Sequence, residues 1–467
     1  MHCVNRGAYP PDADGHRFKK KLQAAVRQDT ASEFEAFVAV AKARLATEGA
    51  VPPQWLELGL REALRRDGQR ALEDLLNDPH WRVAGDELRP GEKCYAARPN
   101  QVGTLFGEVR LCRNYYTDGQ GGGRAPLDEA LGLVEGCTPA LARLMCRAGA
   151  VEHYEAAAQS LGEYTGLTVR GRRIQRMVNR LGPQMAQWPR PKAAVVVPPD
   201  QVFYVEGDGT GIPVRPEETE GRTGKQGDQP AKTREVKLGC VFTQTQENSA
   251  GQPVRDPDRT SYVATLQPAA EFGALLRAHA FQRGLGLARL VVFLGDGAAW
   301  VWELARVNFP MAIFILDFFH AAEHLEALAA ALWGEGTDQA KSLWEQWAKL
   351  LKEQPDGLEQ VLRAARQALP RSGQRRTLAL KQITYFESNT DRMRYAEYQA
   401  RGLFIGSGVI EAGCKTVIGR RLKQSGMFWG VRGAQNVLDI RCLLENRHFN
   451  LFWEQYRKPL QTSHQSN

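Results

Sequence analysis

Three acidic side chains occupy positions where carboxylates can hold divalent metal ions. Asp208 and Asp296 each follow a short apolar run, and Glu411 lies in the segment GSGVIEAG. Glycines beside each acid permit tight turns and the close approach of a ligand. Neighbouring carboxylates repel one another unless a cation neutralises them, and Mg²⁺ prefers oxygen ligands. The three acids together therefore predict a site for Mg²⁺, with Mn²⁺ able to substitute, of the kind that cleaves phosphodiester bonds with two metal ions.

The elements around these acids are typical of a mixed sheet covered by helices. Apolar runs predict strands at residues 202–207, 234–243, 260–266, 290–295 and 311–316, and helices at residues 269–283 and 297–307. This order is typical of a ribonuclease H-like core. Its first and fourth strands are adjacent and parallel, so we expect Asp208 and Asp296 to meet at one edge. The helix that carries Glu411 can close over the same edge.

Two further acids are alternative candidates for the same site. Tyr204, Glu206 and Asp208 alternate along the first strand, so we expect them to share one face. Asp317 ends the last strand of the core in the way that Asp296 ends the fourth. For any one of these acids, a solvated or helix-capping carboxylate is the alternative interpretation.

Composition and charge point to a polyanionic partner. Lys and Arg number 61 against 53 for Asp and Glu, which gives a net charge of +8. Such a basic balance favours nucleic acid. We expect a cytoplasmic, nucleoid-associated protein, because no apolar run is long enough for a membrane span and the first residues contain no apolar signal region. The eight cysteines are scattered. Three of them, at 94, 112 and 137, lie in residues 91–137, where β strands and turns are predicted, and they form no recognisable set of zinc ligands.

The pattern predicts a multidomain α+β protein with eight segments. They are a helical region at 1–90, a small β and loop region at 91–137, a helix-turn-helix-like DNA-binding region at 138–182, a proline-rich linker at 183–199, the first part of the ribonuclease H-like catalytic core at 200–317, an all-helical insertion at 318–402, the last part of the core at 403–447, and a C-terminal tail at 448–467.

Basic residues at two places are candidate DNA contacts. The second helix of the helix-turn-helix-like region carries Arg172, Arg173 and Arg176, although an ordinary helical hairpin with a solvated basic face would look the same. A second group follows Glu411 and consists of Lys415, Arg420, Arg421, Lys423 and Trp429. Cations can bind phosphates, and an indole can stack on an unpaired base. A solvated helix face with the tryptophan in the core is the alternative.

Several segments taken together resemble bacterial insertion-sequence transposases of the DDE class, nearest to those allied with the Mutator-like superfamily. These segments are VEGDGTGIPV, FLGDGAAWVW, DFFH at residues 317–320, and GSGVIEAGCKTVIGRRLKQSGMFW, and the resemblance covers about residues 200–445. It implies a ribonuclease H-like fold, a catalytic, metal-binding role for Asp208, Asp296 and Glu411, and support from Asp317 and His320. Relatives often carry cysteine pairs before a segment that corresponds to PLD at residues 126–128 of this chain. This chain has no cysteine pair there.

The resemblance also implies a reaction and partners. The reaction is Mg²⁺-dependent hydrolysis at the ends of an insertion sequence, followed by attack of the freed 3′-hydroxyl groups on target DNA. The partner is double-stranded DNA, as terminal inverted repeats and target. Because two DNA ends usually need two active sites, we also expect a homodimer or a higher oligomer when DNA is bound. Two rival functions remain: a decayed transposase that binds DNA without cutting it, and a zinc metalloprotease built on the H-x-x-E-H motif of His320, Glu323 and His324.

Overall fold

The computed structural model describes residues 32–189, 198, 201–224 and 229–456. Most of the predicted proline-rich linker and both ends of the chain lie outside the described residues. The fold is α+β, with a mixed sheet and many helices, as the sequence predicts. None of the helices in the described part is both long and apolar enough to cross a membrane. The chain divides into two compact units, which are described separately.

The first unit takes in the described residues of Met1–Met145 and Glu155–Ile174, together with Tyr456. Its elements are α1 (Glu33–Glu48), α2 (Pro53–Leu76), β1 (Lys93–Thr104), β2 (Gly107–Thr117), β3 (Gly123–Arg124) and α3 (Pro126–Ala130), with parts of α4 (Pro139–Val151), α5 (Tyr154–Thr165) and α6 (Gly171–Gln187). A small apolar core forms where α2 and α3 meet the β1–β2 ribbon, and it contains Leu76, Val102, Val109, Leu111 and Leu127.

The predicted regions in this part of the chain contain the expected types of element, but one boundary needs correction. The helical region at 1–90 contains α1 and the long helix α2, which no proline interrupts after its start. The small β and loop region at 91–137 contains the antiparallel pair of β1 and β2. Helix α6 continues to Gln187 with Pro183 inside it, so the predicted linker does not begin at residue 183.

The second unit comprises Cys146–Tyr154 and Gln175–Gln455. Its sheet and crossover elements are β4 (Val202–Pro213), β5 (Thr233–Glu247), β6 (Pro253–Arg255), β7 (Ser261–Thr265), α7 (Ala269–Gln282), β8 (Leu290–Gly295), α8 (Ala299–Asn308) and β9 (Ile313–Leu316). The strand order is β6-β5-β4-β8-β9, and β7 pairs with β5. The prediction that the first and fourth core strands are parallel neighbours is confirmed, because β4 pairs with β8 in that way. The short strand β6 was not predicted.

A run of helices follows the sheet, as the sequence predicts for residues 318–402. They are α9 (Phe318–Trp333), α10 (Asp338–Glu353), α11 (Gly357–Gln367), α12 (Gln374–Asn389) and α13 (Tyr395–Ala400). The chain then forms α14 (Gly408–Gly413), a π-helical segment (Cys414–Gly419), α15 (Arg420–Leu422), α16 (Val431–Glu445) and α17 (Phe449–Tyr456). The start of the predicted tail at 448–467 is therefore helical, because Phe449, Phe452 and Trp453 are buried. Residues 457–467 lie outside the described part.

Candidate active site

The register of the parallel strands brings Asp208 and Asp296 to the same level. The pairing of β4 with β8 ends where Glu206 lies beside Leu294. Asp208 and Asp296 each follow two residues later, at the edge where the parallel pairing of β4 with β8 ends. Asp296 lies just beyond β8, whereas β4 continues to Pro213 in its pairing with β5, which corrects the predicted end of this strand at residue 207. Ligands of open α/β sheets commonly bind at such an edge. Gly297 follows Asp296 with a φ of 92°, a conformation that favours glycine.

Asp208 is half-buried, and its surroundings favour the protonated form. Burial raises the pKa of Asp208, and the charges of Asp296 and Glu235 raise it further. Two hydrogen bonds act in the opposite direction: the Cys414 thiol lies 3.2 Å from Oδ2, and the Gly209 amide donates to Oδ1 at 2.6 Å. The site therefore concentrates negative charge that a bound cation would neutralise.

Glu411 lies in the first turn of α14, and its side chain is exposed. Cys414, three residues later, makes the contact with Asp208, so the helical segment of Glu411 packs against the strand of Asp208. The negative charge of Glu411 raises the pKa of both Glu206 and Cys414, although burial is the larger cause in each case. The π-helical turn that begins at Cys414 is a local departure of the kind often found at functional sites.

Glu206 and Asp317, the two alternative candidates, hold the chain segment that leads into α14. Glu206 is fully buried, and its Oε2 accepts a hydrogen bond from the Ile410 amide at 2.7 Å. Asp317 is also buried: its Oδ1 caps α9 by accepting from the His320 amide, and its Oδ2 accepts from the Ser407 amide. Both carboxylates therefore fix the backbone just before Glu411.

Aromatic and amide side chains extend this support along residues 402–410. The Tyr204 hydroxyl accepts from the Phe404 amide at 3.2 Å, and the Gln244 amide donates to the Gly402 carbonyl at 2.8 Å. Tyr204, Glu206 and Asp208 thus all contact the segment from 404 to 414, which confirms that they share one face of β4. Side chains of the sheet, rather than strand pairing, therefore attach the loop before Glu411 to the sheet.

The donor chemistry of the three predicted acids suits a hard divalent cation, since all their ligand atoms are carboxylate oxygens. Across the described ranges, no group of three or more His, Cys, Asp or Glu side chains is already arranged to hold a metal ion. The structure thus brings Asp208 and Asp296 to one edge and packs the helix of Glu411 beside them without closing the carboxylates into a ligand cage.

The H-x-x-E-H motif forms a different arrangement. Nδ1 of His324 lies 2.6 Å from the Gln382 side-chain oxygen, and its ring stacks on Tyr385 with 3.6 Å between centroids. Burial lowers the pKa of His324. His320 instead lies near Glu323, with 3.5 Å between Nδ1 and Oε2. Gln382 and Tyr385 belong to α12, so His324 contacts a neighbouring helix, whereas His320 contacts a residue of its own helix.

The basic residues that follow Glu411 divide into exposed and buried groups. Lys415, Arg420 and Lys423 are exposed, and the Lys423 ammonium contacts the Thr210 hydroxyl, two residues beyond Asp208. Arg421, by contrast, is 1% exposed, and its Nε donates to the Gly149 carbonyl. Burial lowers the pKa of Arg421 to about 10. The prediction that Arg421 contacts DNA is corrected, because its guanidinium is enclosed.

Trp429 is also inside the protein, which corrects its predicted role as a surface for a base. It is 8% exposed, its indole nitrogen donates to the Leu422 carbonyl, and the Arg421 guanidinium covers its ring at 4.8 Å from the centroid. The neighbouring Phe428 is 65% exposed instead. The sequence pattern of cations and aromatics could not distinguish which ring faced solvent.

The predicted arginines of α6 differ in their availability. Arg172 and Arg176 are exposed and lie one turn apart, so they share a helix face. Arg173 is partly buried, donates to the Gly136 carbonyl and pairs with Glu108 at 2.8 Å. Arg173 is therefore occupied by contacts within its own unit, which corrects its predicted role as a DNA contact.

Sequence reasoning missed two features of the site. Cys414 was not singled out, although its place three residues after Glu411 puts it on the same side of a helix. Glu206 was noted only as a substitute for Asp208, and no sequence signal connects it with Ile410, 204 residues away. Long-range hydrogen bonds of this kind leave no local pattern.

Comparison with known proteins identifies no family. No family model and no curated protein matches the chain. Among solved structures, the Drosophila P element transposase strand transfer complex is similar over 66% of this chain and 92% of that chain, with a TM-score of 0.31 and 10% sequence identity. At this TM-score and identity, the likeness carries no argument about fold or function.

Proposed function

We propose that this chain is a metal-dependent DNA transposase with a ribonuclease H-like core, and that Asp208, Asp296 and Glu411 are its catalytic acids. The proposal rests mainly on the register of β4 and β8, in which Asp208 and Asp296 each lie two residues beyond the last paired position. The helical segment that carries Glu411 packs against the same edge through Cys414. The order of strands and crossover helices in the second unit supports the same core. The resemblance of the acid-bearing motifs to DDE transposases supplies the reaction class.

Asp208, Asp296 and Glu411 would hold Mg²⁺, or Mn²⁺ in its place. When bound, such ions activate an attacking oxygen and stabilise the leaving oxygen of a phosphodiester. The chain's own residues do the positioning: Cys414 and the Gly209 amide orient the Asp208 carboxylate, and Glu206 and Asp317 fix the segment that presents Glu411. In hydrolysis, water attacks phosphorus and the bond to the 3′-oxygen breaks, which frees the 3′-hydroxyl for strand transfer.

The exposed cations near the acids would bind the DNA strand that enters the site. Lys423 extends from the Glu411 segment to Thr210 beside the catalytic edge, and Lys415 and Arg420 are exposed on the same segment. Arg172 and Arg176 would add phosphate contacts from α6. We propose terminal inverted repeats and target duplex as the DNA partners, with two copies of the chain acting on two DNA ends.

The test is cleavage of a labelled transposon-end duplex with Mg²⁺ by the wild type and by Asp208→Asn, Asp296→Asn and Glu411→Gln. Each variant keeps the shape of the side chain and removes a charged metal ligand, so we expect cleavage to fall by at least about a hundredfold with DNA binding retained. Glu323→Gln is the matched control, since Glu323 is an exposed acid of the H-x-x-E-H motif.

Three outcomes would contradict the proposal or a part of it. Full activity in one of the three variants would remove that acid from the site. Loss of activity in Glu323→Gln together with zinc binding and peptidase activity would favour the metalloprotease. A wild type that binds its ends and cuts nothing would favour the decayed transposase.

A further inference from the structure

The β1–β2 ribbon of the first unit carries a face on which cations and aromatic rings alternate. Tyr95 lies opposite Tyr115 in the antiparallel register. The register shifts between Tyr95 and Arg98, where Ala97 has a φ of 47°. This bulge opens the strand at two small residues, and residues 93–99 are all exposed. The ribbon therefore presents side chains to solvent at a local widening.

The rings on this face hold the cations by stacking. The Lys93 ammonium lies 5.1 Å from the centroid of the Tyr95 ring. The Arg98 guanidinium lies 4.5 Å from the centroid of Tyr115 and 5.9 Å from that of Tyr95. Cation–π contacts of this kind are attractive even at exposed positions. They restrict the side chains of Lys93 and Arg98 before any ligand arrives, which lowers the entropic penalty of binding.

The charges of Lys93 and Arg98 are available, in contrast with that of the nearby Arg113. Arg113 pairs with Asp128, with 3.1 Å between Nε and Oδ1, and is largely buried. Within the described residues, neither Lys93 nor Arg98 forms an ion pair. A groove of about 710 Å³ lies beside Arg98, and its lining residues, 95–99 with Tyr115 and Thr117, include no acid.

We propose that this cationic ribbon binds the sugar–phosphate backbone of duplex DNA. Because Lys93 and Arg98 already occupy faces of the tyrosine rings, the ligand that fits is an anion rather than a stacked base. A chain of phosphates meets more than one fixed cation at once, and the contact carries no sequence preference. The inference rests on the proposed function in so far as that function supplies DNA as the partner, and it adds a surface distant in sequence from the catalytic acids.

The experiment is fluorescence anisotropy of the full chain with a labelled duplex of about 30 base pairs, between about 50 and 200 mM salt and with EDTA, so that cleavage plays no part. We expect the double variant Lys93→Gln with Arg98→Gln to bind about tenfold more weakly, for any duplex sequence, with the salt slope reduced by about 1.8. The matched control is Lys341→Gln with Lys349→Gln, which removes the same charge from two exposed positions of α10.

A second pair of variants separates the stacking from the charge. Tyr115→Leu removes the ring beneath Arg98 and keeps every charge, so we expect affinity to fall a few-fold with the salt slope retained. Tyr115→Phe keeps the ring and should bind as the wild type does. These two variants differ in whether an aromatic ring lies beneath the Arg98 guanidinium.

The outcomes distinguish the ribbon from the proposed function. Wild-type affinity and salt slope in the Lys93 and Arg98 variant would overturn the ribbon inference and leave the proposed function intact. An equal loss in the α10 control would overturn it as well, since net charge alone would explain the effect. A wild type that binds no duplex even at low salt would overturn both.

Discussion

Glu206 offers the sharpest test of how the candidate site is built, because it lies two residues from Asp208 on the same strand face. We predict that Glu206→Gln retains cleavage within a few-fold of the wild type, whereas Glu206→Ala loses most of it. The glutamine keeps an acceptor oxygen for the Ile410 amide, which now donates to Oε2 at 2.7 Å. Its amide nitrogen replaces Oε1, a buried atom with no hydrogen-bond partner in the described structure.

The magnitude follows from burial. Glu206 is fully buried, and this burial raises the pKa of its carboxyl well above the usual value, so its surroundings favour a neutral side chain such as glutamine. Alanine leaves the Ile410 amide buried and unpaired, which costs about 1–3 kcal/mol. The cavity that it opens adds a penalty of about the same size. The backbone before Glu411 then loses one of its fixed points.

Urea denaturation and cleavage as a function of Mg²⁺ concentration measure the two effects. We expect Glu206→Ala to be less stable and to need more Mg²⁺ for half-maximal cleavage, because Glu411 is less well placed. A general loss of stability would not by itself raise the Mg²⁺ requirement of the folded fraction. A folded Glu206→Gln variant as inactive as Asp208→Asn would refute the reasoning and make Glu206 a ligand. Wild-type behaviour in Glu206→Ala would show that its hydrogen bond positions nothing.

Three more predictions concern the edge of the site and the surrounding core. Gly297→Ala should lose about 1–3 kcal/mol of stability and most cleavage, because its φ is 92° and a Cβ would lie 2.7 Å from the Tyr385 hydroxyl. Gly408→Ala, where a Cβ meets open space, is the control, and equal stability and cleavage in the two variants would contradict the prediction. Asp439 is partly buried with its pKa raised to about 7, so the folded state holds a proton that the unfolded chain releases near pH 4. Wild-type stability should therefore fall as the pH rises from about 4 to about 7, by on the order of 2 kcal/mol after allowance for partial exposure, and urea titrations should show no such contribution in Asp439→Asn; parallel pH profiles would contradict it. Arg421→Gln should lower the free energy of unfolding by about 2–4 kcal/mol, since the contacts of Arg421 with the Gly149 carbonyl and the Trp429 ring are buried. DNA binding by the folded protein should not weaken, and a stable variant with weak DNA binding would show that Arg421 contacts DNA after all.

Local patterns in the sequence were enough to predict the sheet and the meeting of two acids. Apolar runs of strand length, separated by helical periodicity, set the order of β4, β5, β7, β8 and β9, and parallel neighbours bring their carboxyl ends to one edge. Asp208 and Asp296 each follow such a run directly, so the ends of these runs indicated their positions, although β4 itself continues past Asp208 to Pro213. The same reasoning placed Tyr204 and Glu206 on the face of Asp208.

Only the tertiary structure decided which polar side chains were available to a ligand. Arg173 pairs with Glu108, 65 residues away, and Arg421 is enclosed by the Gly149 carbonyl and two rings, although both look like exposed cations of a basic helix. Glu206 contacts Ile410 across 204 residues of sequence. Residue type and periodicity report which face of an element a side chain occupies. They do not report what packs against that face, because burial and hydrogen-bond partners come from segments that are distant in the chain.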